Sequence, residues 1–167
     1  GRTMGIISRF KDIMSANINA LLDKAEDPEK MIDQYLRNLE SDLAKVKQET
    51  ASVMAEEAKA KRQLDECTAE VAKMQSYAEK AVLAGNDEDA KRFLMKKKEL
   101  VVKQTSLQET YTLAAENAAK MRQMHQKLVG DISQLNSRRD AIKAKIAVAK
   151  TQQTINKIGA VSYTHLR

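Results

Sequence analysis

From Ile32, alternate steps of four and three residues land on Leu36, Leu39, Leu43, Val46, Thr50, Val53, Glu57, Ala60, Leu64, Cys67, Val71, Met74, Ala78 and Ala81. Only Thr50 and Glu57 break the apolar run. An apolar repeat of 3.5 residues sustained for about seven heptads is the signature of a helix that buries one narrow seam against another helix. A strand would need period two, and a globular helix would drift off so strict a stripe. Composition agrees: aromatic residues are 4% of the chain, charged residues 31%, Gly numbers 5 and Pro 1. Such a chain lacks the turn residues for a many-element fold and is rich in helix formers.

The seam stops at Ala84-Gly85-Asn86-Asp87. Gly85 and Asn86 tolerate positive φ and mark a hairpin turn, and Asp87 is suited to cap the next helix. Beyond it Phe93, Leu100, Leu107, Ala114, Met121, Leu128, Leu135, Ile142 and Ala149 follow at seven-residue spacing. Their companion positions are mixed: Tyr111, Ala118, Ile132 and Ile146 are largely apolar, whereas Lys97, Gln104, His125 and Arg139 are polar. So short a loop predicts two antiparallel neighbours, residues 28–84 and 87–158. Charge supports the pairing, since residues 25–84 carry a net −4 and residues 85–157 a net +7. The polar positions Lys97, Gln104 and Arg139 read either as contacts to other copies of the chain or as long side chains snorkelling from an imperfect seam.

Ahead of the hairpin lies residues 4–25, read as one amphipathic helix. At ~100° per residue, Ile6, Ile7, Phe10, Ile13, Met14, Ile18, Leu21 and Leu22 share one half of the wheel, Arg9 and Lys11 lie near its borders, and Asn17 interrupts it. From the residues alone this face suits equally a core helix packed on the hairpin and a helix lying in a membrane interface. Asp27-Pro28 separates it from the hairpin, with Asp27 as N-cap and Pro28 at the first helical position. Gly1-Arg2-Thr3 is expected to be foreign to the fold. Residues 159–167 do not continue the repeat and are expected to be disordered or foreign.

The stretch MGIISRFKDIMSANINALLDKAEDPEKMIDQYL, Met4 to Leu36, closely resembles the start of phage-shock-protein-A family members, among them the vesicle-inducing protein of plastids and cyanobacteria. The resemblance implies a bacterial relative of the ESCRT-III membrane-remodelling proteins. It implies self-assembly into rods or rings, binding of anionic or stressed membranes through the first helix, and preservation of the permeability barrier. It places the protein in the cytoplasm, peripheral on the inner face of the bacterial cell membrane. It also implies, for some members, a hairpin that restrains a transcription activator of the AAA class.

Other functions find little support. Cys67 is the lone cysteine and falls on the seam, so it reads as a small core residue. His125 and His165 have no second ligand at metal spacing, and no metal or other cofactor is expected. No Gly-rich phosphate loop is present, and no carboxylate pair has surroundings that would tune it for catalysis, so no enzyme activity is expected. Lys96-Lys97-Lys98 and Arg138-Arg139 read as solvated faces complementing the acidic first hairpin helix, residues 28–84, with no nucleic-acid partner. No run nears the ~18 apolar residues of a membrane span.

Overall fold

The computed structural model describes residues 5–165, all α-helical in class, with no strand among them. A short 3-10 helix, Ile6–Arg9, leads into α1, Phe10–Ser15, and α2, Ile18–Asp23. Then come the long helices α3, Pro28–Leu83, and α4, Asp87–His165. The described residues divide into two compact units, one holding residues 5–8 with Val46–Gln123, the other Arg9–Lys45 with residues 124–165.

In the first unit the two long helices run antiparallel. Gln75 meets Lys97 and Thr68 meets Gln104, so partners ascend on one helix as they descend on the other. The Tyr77 and Phe93 rings lie 5.4 Å apart. The seam buries small side chains, Ala60, Cys67, Ala78, Ala90 and Ala118, beside the larger Val46, Leu64 and Met121, and the buried Cys67 thiol donates to the Leu100 carbonyl at 3.3 Å. The turn is a Schellman motif: Gly85 has φ +74°, Asn86 N–H donates to Ala81 O at 2.8 Å, and Gly85 N–H to Val82 O at 3.0 Å. Asn86, rather than the expected Asp87, caps α4, accepting from Asp89 N–H at 3.1 Å. Its side chain already sits at the first orphan donors, and Asp87 is left as the first helical residue.

The second unit has a richer core. Ile18 and Leu22 of α2, Ile32 and Leu36 of α3 and Leu135 of α4 are all buried together, flanked by Met31, Tyr35, Leu39, Ile132 and Ile142. Here α4 must face both α3 and α2, so its buried arc widens. Met124 is wholly buried while His125, expected on the seam, is exposed. Asp27 caps α3 by accepting from Lys30 N–H at 3.2 Å, with Pro28 in the first turn.

Two expectations are corrected. Residues 4–25 are not one helix: α1 ends at Ser15, Ala16 is extended (φ −64°, ψ 132°), and Asn17 starts α2 as its cap, its side chain accepting from Ala20 N–H. The residue that seemed only to interrupt an apolar face is a helix start signal. At the other end, α4 does not stop near 158 but continues to His165. A lone Gly costs a helix only ~1 kcal/mol, so Gly159 does not end it. Residues 1–4, 166 and 167 lie outside the described residues.

Candidate functional site

The N-terminal segment is the candidate site, and its position is set by polar contacts as much as by burial. In the first unit, Ile6 N–H donates to both carboxylate oxygens of Glu49, at 3.3 and 3.1 Å. The carboxylate lies so close to the backbone that a Cβ on Gly5 would overlap Glu49 Oε1, so a side chain there would displace it.

In the second unit, Arg9 grips Asp42 with both prongs of its guanidinium. Nε donates to Oδ1 at 3.1 Å and one terminal nitrogen donates to Oδ2 at 3.0 Å. Asp42 is 8% exposed and Arg9 46%. This fork-to-fork geometry is among the stronger side-chain interactions. The hydrogen bond and charge of Asp42 raise the Arg9 pKa above its ordinary value. At the break between α1 and α2, Lys127 Nζ donates to the Ala16 carbonyl at 2.9 Å and also bonds Asp131. A carbonyl left open at a helix end thus finds a charged donor. Asn19 accepts from Gln134 at 2.7 Å, and Arg138 approaches Asp23 at 4.0 Å.

The apolar residues expected to face a membrane divide into inner and outer groups. Ile6, Ile13, Ile18 and Leu22 are buried, while Ile7, Phe10 and Met14 are half-buried. Leu21 is 37% exposed and Lys11 lies on the surface. Of the candidate inter-copy residues, Lys97 donates to Gln75 at 2.7 Å and Gln104 to Thr68 at 3.0 Å, both within the chain. Arg139 donates to Asn136 at 2.9 Å and lies 3.9 Å from Asp33, while its buried Nε has no hydrogen-bond partner among the described residues. The described residues contain no cluster suited to a metal ion.

Sequence reasoning missed Asp42, Glu49, Lys127 and Asp131. A faint signal existed, since Asp42 and Glu49 are seven residues apart and border the α3 seam. What Asp42, Glu49 and Lys127 would hold was not written locally, because the partners are 33, 43 and 111 residues distant, whereas Lys127 and Asp131 stand four apart on one helix.

The sequence model of the PspA/IM30 family matches residues 5–164. The chain is 64% identical to the phage shock protein A homolog of Bacillus subtilis, over 94% of this chain and 69% of that protein. It is 28% identical to the membrane-associated protein Vipp1 of Nostoc punctiforme, over 91% of this chain and 59% of that protein. It is 28% identical to the protein LiaH of Bacillus subtilis, over 90% of this chain and 67% of that protein. The chain therefore spans about two thirds of the length of these relatives.

Proposed function

We propose that this chain, which belongs to the PspA/IM30 family, is a peripheral membrane scaffold that assembles with its own copies and stabilises or remodels the inner face of the bacterial cell membrane under envelope stress. On this reading it is not an enzyme and uses no cofactor. Among the described residues, no helix is long and apolar enough to cross a membrane, so contact is made from the surface.

The carrying observation is that an amphipathic segment is fastened to the hairpin by a fork-shaped ion pair, Arg9 to Asp42. Burying an aliphatic side chain is worth roughly 1.5–3 kcal/mol whether in protein or in lipid. Moving Ile6, Ile13, Ile18 and Leu22 from one to the other therefore nearly cancels, and the polar contacts decide. A guanidinium recognises phosphate with the same fork it offers a carboxylate. At an anionic bilayer Arg9 exchanges Asp42 for a lipid phosphate, and the segment leaves the hairpin for the interface. With only Arg9 and Lys11 opposing Asp12 between Met4 and Leu22, one copy binds weakly, and an assembly gains by avidity.

For self-assembly the support is an outer face on α4. Leu94 and Val101, and beside them Met95 and Val102, form two columns at seven-residue spacing, exposed by 46, 39, 67 and 69%. The exposed Lys98 falls between the columns at 100° per residue, so this is a mixed face whose grouped apolar side chains suit contact with another copy. This face, rather than Lys97, Gln104 or Arg139, is proposed to meet another copy. The test of membrane contact is co-sedimentation with vesicles of phosphatidylcholine and phosphatidylglycerol. Phe10→Glu should weaken binding more than tenfold while helicity, dominated by α3 and α4, stays nearly constant. Undiminished binding by that variant removes the reading.

A further inference from the structure

From Ala141 to Val161 the chain carries Lys143, Lys145, Lys150 and Lys157 and no Asp or Glu. This stretch of α4 lies beyond the core contact made by Ile142, and every residue from 143 to 161 is exposed. At 100° per residue, Val148, Ile155 and Ile158 fall on one stripe, on the side of the helix opposite Ile142. They are 70, 55 and 61% exposed, and Val161, on the adjoining column, is 56% exposed. The threonines of this arc turn their hydroxyls into the helix: Thr151 donates to the Ala147 carbonyl and Thr154 to the Lys150 carbonyl, each at 3.0 Å. Their methyl groups are left outward, so an arc of roughly 120° presents no free donor and no charge.

Lys143, Lys150 and Lys157, spaced by seven, form a single column along one border of this arc, and Lys145 lies beyond the other. Among the described residues none of the four pairs with a carboxylate. Lysines at the edge of an apolar arc snorkel, laying their stems on hydrocarbon and their ammonium groups among phosphates.

We infer that residues 143–161 of α4 form a second contact for an anionic lipid surface, additional to the N-terminal segment and open without any undocking. A bilayer fits better than a second copy: four unpaired lysines ask for a dense anionic partner, and the small, flat arc of Ala, Val, Thr and Ile lacks large side chains to interlock with another helix.

The sequence contains no tryptophan, so Ile155→Trp in the full chain reports this site alone. With vesicles of phosphatidylcholine and phosphatidylglycerol in equal amounts, its emission should shift to the blue and be quenched by lipids brominated on the acyl chain. Pure phosphatidylcholine should do neither. Replacing Lys143, Lys150 and Lys157 together by Gln should weaken partitioning roughly a hundredfold, at about fivefold per lysine, and added salt should mimic the change. No quenching by anionic vesicles overturns the inference, as does binding indifferent to the lysine changes. A blue shift that grows with protein concentration, without lipid and without quenching, assigns the face to a second copy instead. Phe10→Trp, measured alongside, separates the two sites. Quenching at residue 10 alone leaves only the N-terminal contact, and quenching at residue 155 alone supports this inference and removes that contact.

Discussion

The N-terminal segment and the far end of α4 are both amphipathic, yet they spend their apolar faces differently. Ile13, Ile18 and Leu22 are turned into protein, with Arg9 and Ala16 fastened by Asp42 and Lys127. Val148, Ile155 and Ile158 are turned to solvent beside lysines that pair with no carboxylate among the described residues. Segment length explains part of the difference. Helices of six residues do not persist alone in water, so α1 and α2 are held by what they dock on, whereas residues 143–161 ride on a helix already nucleated by the hairpin. A docked segment is conditional on its partner and can be switched. A face on a helix continuous with the hairpin needs no docking partner to hold its shape.

The comparison breaks most visibly under truncation of the buried face. Leu22→Ala should remove about 2–5 kcal/mol from docking, read as lost amide-exchange protection over α2 with α3 unaffected. Next comes the ion pair. Asp42→Asn should cost about 1.5–3 kcal/mol of docking and, by freeing Arg9 and its segment, raise binding to anionic vesicles by tenfold or more in co-sedimentation. If binding falls instead, the pair is structural and not a latch. Gly85→Ala places a side chain at φ +74° with no neighbour within 4 Å of its Cβ. Its cost is thus conformational, about 1–2 kcal/mol by denaturant unfolding, and lipid binding at both amphipathic regions should be unchanged. Smallest of all, Ile155→Ala should leave stability within about 0.5 kcal/mol, and a larger loss would mean that this face is covered.

What the sequence made legible follows from how many partners each helix has. Along α3 all the positions named from Ile32 to Ala81 are buried or half-buried, because one strict repeat describes a helix with one dominant neighbour. For α4 the repeat worked in the first unit and slipped at Met124 and His125, where α2 joins the packing and two faces are needed at once. The Gly85 turn and the Asp27-Pro28 start were readable because capping is local chemistry. Asn17 carried the same chemistry and was obscured by the apolar residues around it. Arg9–Asp42 and Lys127–Ala16 join residues distant in the chain, and periodicity holds no information about which polar residue of one element faces which of another.

The central claim is that the N-terminal segment is docked through Arg9 in solution and released on an anionic membrane. Spin labels at Ala20 and Asn38, both exposed and both in the second unit, with Cys67 replaced by Ala, measure the separation of α2 from α3. One narrow distance is expected in buffer and with phosphatidylcholine vesicles. With phosphatidylglycerol present a second, longer population should appear, enlarged further by Asp42→Asn. A single unchanged distance in vesicle-bound protein would contradict it.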